Sequence, residues 1–346
     1  MSITIEHGGA VLPSVTVDAY NAELREGEGF TGDRASKRAF QSLLDDVRDR
    51  LAASGDDPLG AQATDELDKE TVDRLLAEGT AAQAGVIHTA VEEFAGEFAS
   101  VIRRFLRLKA WRDTQRIVVG GGMRGTRVGE LAIGRTEVLL RSSGTPVELV
   151  PIRSDPDQAG LLGGAHLAPS WIFKGHDSIL AMDIGGTNVR VGLVALHLDR
   201  AKDLSRCEVV GNELWPHREE RPKRDEAVGR IIAMLETLLE QATKQKLSLA
   251  PFIAVGCPGL IAPDGTIERG GQNLPGNWEA RGFNLPERLR GAIPRIGEHE
   301  THVAMHNDAV VQGLSEAPFM RDVERWGVMT IGTGLGNARF TNRRDA

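Results

Sequence analysis

A glycine turn in the middle of the chain follows an apolar segment, residues 178–182. The residues of this turn that could do chemistry are Asp183, Gly185, Gly186 and Thr187. Because glycine lacks a Cβ, the backbone of such a turn can approach a ligand closely, and its N–H groups can point at phosphate oxygens. The Asp183 carboxylate could hold Mg²⁺ through water, and the Thr187 hydroxyl could add a donor. A Gly-Gly turn alone, however, indicates no more than a hairpin.

Two more glycine segments follow apolar runs. The members of the first are Thr330, Gly332, Thr333 and Gly334. They alternate hydroxyl groups with glycines, which is a suitable lining for phosphate. The members of the second are Gly120, Gly121 and Gly122, a flat stretch of backbone against which a planar base could lie. The turns at residues 183–187 and 330–334 are thus of the same type. Two such hairpin turns in one chain predict a nucleotide clamp between two lobes.

Hydrophobic periodicity indicates the elements that must hold these turns. Apolar residues at helical spacing predict helices over residues 35–51, 65–77, 81–108, 161–167 and 227–243. Short apolar or alternating runs predict strands over residues 116–119, 136–141, 147–152, 178–184, 189–198, 251–255, 302–306, 327–331 and 337–340. Strands interspersed with helices predict the α/β class.

The composition disfavours several classes of protein. With 41 Lys and Arg against 49 Asp and Glu, the 346 residues carry a net charge of −8, which disfavours a nucleic-acid partner. We expect no membrane span and no signal peptide from the apolar runs and the first residues. Cys207 and Cys257 are far apart, so neither a disulfide framework nor a cysteine zinc site is expected, and a reducing cytoplasm fits. The 40 glycines exceed the roughly 24 that are usual for this length.

Together the three glycine segments resemble the phosphate-1, phosphate-2 and adenosine motifs of the actin/hexokinase/Hsp70 ATPase superfamily. Within it, they resemble those of the ROK family of bacterial sugar kinases and sugar-responsive repressors. Further similar segments are Gly256-Cys257-Pro258-Gly259 with Asp264-Gly265 (GxPGxxxxxDG), Asn273-Leu274-Pro275-Gly276-Asn277-Trp278 (NLPGW with one insertion), and Asn307-Asp308-Ala309 with Glu316 (NDAxxxxxxE). The resemblance implies a two-lobed actin-like ATPase fold of the ribonuclease H-like type, with ATP and Mg²⁺ as cofactors.

The resemblance also implies roles for single residues. Asp308 is then the general base for a sugar hydroxyl, and its carboxylate should face the cleft between the lobes, although a helix N-cap is the simpler role for Asp308 alone. The residues expected to contact the sugar are Asn307, Asn273 and Gly276, with Trp278 as a wall. A surface turn followed by a core tryptophan explains the Trp278 segment equally well. Arg190 could approach phosphate, although a packing or surface role suits a strand residue better.

The order of the motifs differs from that of the family, in which the DIGGT turn is near the N-terminus and the adenosine motif is near the C-terminus. Here residues 65–122 resemble the family's run into its adenosine motif, and residues 147–165 resemble its C-terminal strand and helix. We therefore predict a circular permutation of the fold. Its parts are the permuted C-terminal lobe with the adenosine motif (1–168), a connector (169–177), the N-terminal lobe with the phosphate-1 turn and sugar loop (178–308), and the start of the second lobe with the phosphate-2 turn (309–346). The rival interpretation is a front domain fused to a truncated kinase.

The clearest departure from the family is the lack of its zinc-binding segments, GExGH and CxCGxxGCxE, so we expect no zinc site. In the permuted order the missing region falls within residues 1–35. Glu6, His7, Glu26 and Glu28 could substitute there, although exposed loop residues are the simpler interpretation. Position 306 is a histidine where an acidic residue is common in the family. The identity of the sugar and kinase competence therefore stay open.

Three functions compete on this basis. The first is a kinase that uses Mg·ATP to phosphorylate a hydroxyl of a glucose-like hexose or an N-acyl-hexosamine. The second is a ROK-type sugar-responsive regulator or a pseudokinase, although residues 35–77 lack a clear basic recognition helix. The third, an Hsp70-like chaperone ATPase, lacks a substrate-binding domain. We expect a cytoplasmic enzyme with a small-molecule sugar substrate, no nucleic-acid or membrane partner and, by analogy, a homodimeric state.

Overall fold

The structure, a computed structural model, describes residues 6–27 and 29–343. Their strands are β1 Val15–Tyr20, β2 Arg25–Glu26, β3 Gly29–Phe30, β4 Arg116–Gly120, β5 Glu148–Pro151, β6 Ser178–Ile184, β7 Val189–Ala195, β8 Glu208–Trp215, β9 Leu249–Cys257, β10 Leu260–Ile261, β11 Ile267–Arg269, β12 Arg295–Ile296, β13 His299–Glu300, β14 His302–Asn307, β15 Arg325–Ile331 and β16 Leu335–Asn342. Their α-helices are α1 Lys37–Ala52, α2 Lys69–Glu78, α3 Ala81–Phe105, α4 Arg127–Ser142, α5 Ala159–Gly164, α6 His217–Glu220, α7 Arg224–Lys244, α8 Leu285–Ala292 and α9 Asp308–Leu314. This mixture of strands and helices confirms the predicted α/β class. In the described part of the chain, no helix is both long enough and apolar enough to cross a membrane.

The chain packs into two compact units, each built from segments that are distant in sequence. The larger unit consists of the described residues within Met1–Asn21, Asp157–Glu324 and Ala338–Ala346. The smaller unit consists of those within Ala22–Pro156 and Arg325–Asn337. Each unit has its own hydrophobic core.

The larger unit is built on a five-stranded mixed sheet in the order β14-β9-β6-β7-β8. β6, β9 and β14 run parallel, while β6, β7 and β8 are antiparallel neighbours. Side chains of β6 alternate between the two faces of the sheet. Leu180, Met182 and Ile184 join the core formed with α7 and α8. Ala181 and Asp183 point to the opposite face, where they meet the glycines of α5.

Helix α5 lies close to that face because its glycines have no side chains to hold it away. A Cβ on Gly163 would overlap the carbonyl oxygen of Val311 in α9. A Cβ on Gly164 would lie 2.7 Å from the Cβ of Ala254 in β9, which is nearer than side-chain atoms pack. The small residues that predicted this helix therefore also explain how deeply it packs in the larger unit.

The smaller unit contains the parallel strands β15, β4 and β5, which are neighbours in that order. Beside them, α3 packs against α1, α2 and α4. Helix α3 begins at a capping box, in which the side chains of Thr80 and Gln83 each accept a hydrogen bond from the other's N–H group. Phe94 of α3 packs edge-on against Phe40 of α1, with ring centroids 5.8 Å apart.

One predicted strand, residues 136–141, is wrong, because these residues belong to helix α4. Buried residues of α4 recur at helical spacing, namely Val128, Ala132, Ile133, Thr136 and Leu140. The Thr126 hydroxyl caps this helix by accepting a hydrogen bond from the Gly129 N–H at 2.9 Å. A short apolar run cannot distinguish a strand from a buried helix segment, which explains the error. Strands β1 and β8 have no counterpart among the predicted elements.

The packing divides the chain differently from the boundaries predicted at residues 168, 177 and 308. Residues 6–21 belong to the larger unit, where β1 pairs with residues 338–342 of β16. Residues 157–168 also belong to it, because α5 packs on β6 and α9. These contacts join residues that are distant in sequence, so local composition does not reveal them. The permuted order itself stays a prediction.

Candidate active site

Three parallel strands of the larger unit end side by side. In the sheet register, Asp183 of β6 lies beside Gly256 of β9, and Gly256 lies beside His306 of β14. Ligands of open α/β sheets bind outside the carboxyl ends of the strands. This edge therefore defines the candidate site, and it brings the carboxylate of Asp183 close to that of Asp308, the first residue of α9.

Asp308 is held at the start of α9 by the residue before it. Asn307 is the N-cap, and its Oδ1 accepts hydrogen bonds from the N–H groups of Ala309 and Val310 at 3.0 and 3.4 Å. Its Nδ2 donates to the carbonyl oxygen of Gly259 at 3.0 Å. Because Asn307 is only 2% exposed, the geometry makes it a support for Asp308 and does not favour the predicted sugar contact.

Asp308 as a whole residue is half-buried at this strand edge. Burial raises its pKa to about 6, while the hydrogen bond that Oδ1 accepts from the Ala309 N–H at 2.9 Å acts in the opposite direction. A carboxyl group with this pKa is ionised at pH 7, yet it is basic enough to accept a proton from a reacting hydroxyl.

Asp183 is buried more deeply, with 3% of its surface exposed. Its pKa is raised to about 7, chiefly by burial and further by the negative charge of Asp308, while the Arg190 guanidinium opposes the shift. Arg190 donates a hydrogen bond to Asp157 at 2.5 Å, so it has a partner within the protein. The Oδ1 of Asp183 is buried and accepts no hydrogen bond from the described residues. Such a buried oxygen carries a desolvation cost that a bound cation would offset.

Two glycines leave the room that these carboxylates occupy. A Cβ on Gly256 would lie 3.1 Å from Oδ1 of Asp183 and 3.7 Å from the Cα of Asp308. A Cβ on Gly160 of α5 would overlap the Cγ of Asp183. Any other residue at either position would therefore push on the Asp183 side chain.

Asp183 suits a Mg²⁺ ligand, since it offers a carboxylate oxygen that has no hydrogen-bond donor. Among residues 6–27 and 29–343, no three His, Cys, Asp or Glu side chains gather as a metal site. A cation at Asp183 would therefore take its other ligands from water and from a bound phosphate, which is usual for Mg²⁺. The residues present fit such an ion.

The predicted hairpin between β6 and β7 is present. In its turn, the Gly185 N–H donates to the carbonyl oxygen of Asn188 at 2.8 Å. Gly186 faces the predicted sugar loop, because a Cβ on it would lie 2.9 Å from the Cβ of Asn273. Asn273 is exposed. The structure thus brings together the predicted phosphate-1 turn and one of the predicted sugar contacts.

Two other residues of the predicted sugar loop have structural roles. Trp278 is 1% exposed and packs edge-on against Phe283, with ring centroids 5.4 Å apart. Its indole N–H donates to the carbonyl oxygen of Pro275 at 2.8 Å, so the predicted sugar wall is instead a core residue. Burial of the large apolar indole explains this outcome. Gly276 has a φ of +78°, and a Cβ on it would lie 3.0 Å from Arg224.

In the smaller unit, the other two glycine segments lie in contact with each other. The register of β4 and β15 pairs Gly120 with Thr330. Gly121 has a φ of +93°, and a Cβ on it would overlap the carbonyl oxygen of Ile331. Gly122, by contrast, has open space around the position of a Cβ. Segments from the first half and from the last part of the sequence thus form one backbone surface.

The turn after β15 is closed by its own backbone. The Gly332 N–H donates to the carbonyl oxygen of Gly334 at 3.0 Å. The carbonyl oxygen of Gly332 accepts a hydrogen bond from the N–H of Lys37, the first residue of α1, at 2.9 Å. Thr333 and Gly334 are exposed, as contact with a ligand would require.

The N-terminal residues predicted to replace the zinc segments have different surroundings. Glu6 is exposed. His7 is buried, and its Nδ1 accepts a hydrogen bond from the Met305 N–H at 3.1 Å. Burial lowers the pKa of His7 to about 4, so it is neutral at pH 7. Glu28 and the side chain of Glu26 lie outside the described part of the chain.

His306 links the N-terminal segment to the start of α9. Its Nδ1 accepts a hydrogen bond from the Asn307 N–H at 2.8 Å, which leaves Nε2 to donate to the carbonyl oxygen of Gly9 at 3.2 Å. The ring of Tyr20 packs edge-on against it, with centroids 4.9 Å apart. Burial lowers the pKa of His306 to about 4. A neutral histidine in this position supports the backbone that carries Asp308.

Comparisons with known proteins give partial structural similarity. No protein-family model and no curated protein matches the chain. Among solved structures, the chain is similar to a Listeria monocytogenes protein described as a candidate N-acetylmannosamine kinase, with 28% identity over 48% of this chain and 47% of that chain and a TM-score of 0.34. It is also similar to a candidate sugar kinase from Cytophaga hutchinsonii, with 22% identity over 48% of each chain and a TM-score of 0.34.

A third solved structure with similarity is the Aquifex aeolicus member of the Ppx/GppA protein family, with 16% identity over 50% of this chain and 51% of that chain and a TM-score of 0.21. The chain therefore spans about half the length of the solved structures that it matches. With TM-scores below 0.5, these similarities assign neither a fold family nor a function to the chain.

Proposed function

We propose that the chain is an ATP-dependent sugar kinase, which transfers the γ-phosphate of Mg·ATP to a hydroxyl of a glucose-like hexose or an N-acyl-hexosamine. The observation that carries this proposal is the pair of carboxylates, Asp183 and Asp308, which approach each other across Gly256. Asp183 is buried with an oxygen left for a cation, and Asp308 is partly exposed with a pKa of about 6. Phosphoryl transfer needs charge neutralisation and an acceptor for the hydroxyl proton.

Asp308 is the proposed general base. Its Oδ1 accepts the Ala309 N–H, and this bond together with the Asn307 cap fixes the direction of the carboxylate. A sugar hydroxyl that donates a hydrogen bond to the carboxylate passes its proton to it as the oxygen attacks the phosphorus. Because the pKa of about 6 lies near the operating pH, the group is ionised before the reaction and protonated after it.

Asp183 is the proposed holder of the Mg²⁺ ion, through water. Mg²⁺ bound there would neutralise charge on the triphosphate. Gly160 and Gly256 leave room for the carboxylate at the strand end, because a Cβ on either would press against the Asp183 side chain. The nearby Arg190 favours the ionised form of Asp183. Asp183 therefore orients the ion and does not itself take part in proton transfer.

The nucleotide contacts proposed in the larger unit are Gly185, Gly186 and Thr187. Those proposed in the smaller unit are Thr330, Gly332, Thr333, Gly334, Gly120, Gly121 and Gly122. Asn273 is the proposed sugar contact, since it is exposed and lies beside Gly186. Asn307 supports the base, and Gly276 shapes the loop that carries Asn273. A cytoplasmic location, a homodimeric state and the lack of a nucleic-acid or membrane partner are part of the proposal by analogy with the family.

The proposal includes a circularly permuted actin-like order of the chain. Two contacts support it. Gly121, from the first half of the sequence, lies against Ile331 from its end, and α5 packs against β6 and α9. A foreign front domain joined to a truncated kinase would instead keep residues 157–168 among its own elements, yet they belong to the larger unit.

A coupled assay tests the kinase function. The purified chain is mixed with Mg·ATP and a panel of hexoses and N-acyl-hexosamines, and ADP release is followed. We expect release that depends on one class of sugar. If Mg·ATP binds but no sugar stimulates release, the kinase proposal fails. A sugar-responsive regulator or pseudokinase, which the buried Asn307 and Trp278 would suit, then becomes the better description.

A further inference from the structure

The short helix α6 packs beside the turn of residues 185–188 and hydrogen-bonds to its backbone. This helix follows β8 closely, and Trp215 at the end of β8 pairs with Val189 at the start of β7. That pairing places residues 216–218 beside the turn. His217 is 2% exposed, so its imidazole lies inside the larger unit.

Two carbonyl oxygens of the turn accept hydrogen bonds from α6. The Nε2 of His217 lies 2.8 Å from the carbonyl oxygen of Gly185. The N–H of Arg218 donates to the carbonyl oxygen of Thr187 at 3.2 Å. Because a carbonyl oxygen can only accept, Nε2 carries the proton in the contact with Gly185.

The direction of these carbonyl groups decides the direction of the N–H groups that follow them. In a trans peptide, the C=O of one residue and the N–H of the next lie in one plane and point in opposite directions. A Gly185 carbonyl held against His217 therefore turns the Gly186 N–H to the far side of the turn. Backbone N–H groups that face outward in this way form anion-binding sites.

The peptide between Gly185 and Gly186 is the one that most needs an anchor. Glycine populates positive and negative φ at similar cost, so a peptide between two glycines can rotate with little strain. After such a rotation the carbonyl oxygen would face the phosphate and repel it. The Thr187 carbonyl is held by a backbone N–H, whereas the Gly185 carbonyl depends on the side chain of His217.

We infer that His217 is a positioning residue for nucleotide binding: its Nε2–H holds the Gly185 carbonyl and thereby aims the Gly186 N–H at a phosphate oxygen of the nucleotide. The inference rests on the proposed function, because it concerns the phosphate-1 turn of the same site. His217 lies 32 residues from Gly185 in the sequence.

A matched pair of variants separates this role from simple packing. His217→Gln keeps a side-chain N–H that can reach the Gly185 carbonyl but removes the ring. His217→Phe keeps a ring, which can pack near Trp215 as the imidazole does at 5.8 Å between centroids, but removes the donor. We expect the affinity for Mg·AMP-PNP, measured by calorimetry, to fall about tenfold in His217→Phe and less than about threefold in His217→Gln.

The kinetic constants give a second readout. In His217→Phe the KM for ATP should rise with the loss of affinity, while the KM for the sugar stays the same. Equal losses in the two variants, or a larger loss in His217→Gln, would mean that the ring acts by packing and would overturn the inference. Should His217→Phe fail to fold, amide exchange of the wild-type chain decides, because Mg·AMP-PNP should slow exchange of the Gly186 N–H. Unchanged exchange there also overturns the inference.

The same experiments distinguish the two levels of the argument. If the wild-type chain binds Mg·AMP-PNP and both variants bind it with the affinity of the wild type, the role of His217 is refuted while the kinase proposal stands. If the wild-type chain does not bind Mg·AMP-PNP at all, the kinase proposal is contradicted, and the inference about His217 is overturned with it.

Discussion

The two glycine turns, residues 185–188 and 332–334, have similar backbones. Each follows a buried strand and is closed by one backbone hydrogen bond, donated by Gly185 in the larger unit and by Gly332 in the smaller unit. Each also has a carbonyl oxygen held by the first residue of a helix. The imidazole of His217 holds the Gly185 carbonyl, and the backbone N–H of Lys37 holds the Gly332 carbonyl.

The surroundings of the two turns differ in charge. The first turn follows the buried carboxylate of Asp183 and lies near Asp308. The second follows Thr330 and is supported by the backbone beside Gly121. The kinase proposal therefore gives one local pattern two tasks: a cation and a proton would be handled in the larger unit, and uncharged backbone contacts would be made in the smaller unit. A variant that alters the surroundings of one turn should leave the task of the other intact.

The largest effect is expected from Asp308→Asn, which removes the proposed base while keeping the size of the side chain. We expect kcat to fall by about 10²–10⁴-fold, the range for loss of a general base. The affinity for Mg·AMP-PNP should change by less than about threefold, since the backbone contacts of both turns remain. Steady-state kinetics and calorimetry measure the two quantities. As a control, Asp264→Asn alters an exposed aspartate of the same unit whose carboxylate accepts hydrogen bonds from the N–H and hydroxyl groups of Thr266. A kcat that is equal in the two variants would remove Asp308 as the base.

A second large effect is expected from Asp183→Asn. This variant removes the proposed Mg²⁺ ligand and should raise the free energy of unfolding. The pKa of Asp183 is raised from 3.8 to about 7 in the folded protein, so its ionised form destabilises the fold. This penalty is absent below pH 3.8, grows as the pH rises, and is complete above about pH 7. Asp183→Asn should therefore raise the free energy of unfolding by up to about 4 kcal/mol at pH 8 and by up to about 2 kcal/mol at pH 5.

Urea unfolding at the two pH values measures this change, and the Mg²⁺ dependence of ADP release measures the cost to function. In Asp183→Asn, activity should no longer respond to millimolar Mg²⁺ as it does in the wild type. A change in the free energy of unfolding that is the same at pH 5 and pH 8 would contradict the burial argument for Asp183.

A smaller effect, confined to the smaller unit, is expected from Gly121→Ala, which alters the backbone that supports the turn of residues 332–334. Its φ of +93° is unfavourable for alanine, and the added Cβ would overlap the carbonyl oxygen of Ile331. We expect a loss of about 3 kcal/mol in the free energy of unfolding. The matched control is Gly122→Ala, where the added Cβ meets open space, and it should cost less than about 1 kcal/mol. Equal costs in urea unfolding would show that the close approach of β4 and β15 does not depend on Gly121.

Local patterns in the sequence predicted the features that depend on neighbouring residues. The hairpin of β6 and β7 and the strand before Gly120 follow from short apolar runs that end in glycine. The start of α9 follows from a polar pair after a buried strand, although the N-cap is Asn307 and not Asp308. Local sequence patterns of this kind predict the backbone conformation without information on tertiary packing.

Features that depend on packing could not be predicted in this way. The indole of Trp278 reaches the core because its apolar area outweighs the polarity of the surrounding loop. The unit boundaries depend on the depth at which α5 packs, which is set by Gly163 against α9. His217 acts on the carbonyl of a residue far away in sequence, and a side chain that contacts backbone leaves no pattern. The raised pKa values of the carboxylates likewise depend on burial.

The smallest effect is expected in the pH profile of kcat/KM. It concerns only the larger unit, which carries Asp183 and Asp308. With saturating Mg²⁺, a bound cation favours the ionised form of Asp183, so Asp308 with its pKa of about 6 should control the acid limb. Because the base acts only when ionised, kcat/KM should rise with pH and level off above about pH 7, and it should fall about tenfold per unit below pH 6. At limiting Mg²⁺ the limb should move towards pH 7 as Asp183 takes up its proton. Gly122→Ala should keep this profile, since Thr330 and Thr333 of the other turn do not titrate in the range. A profile that stays flat from pH 8 to pH 5 would contradict Asp308 as a base whose pKa is raised by burial.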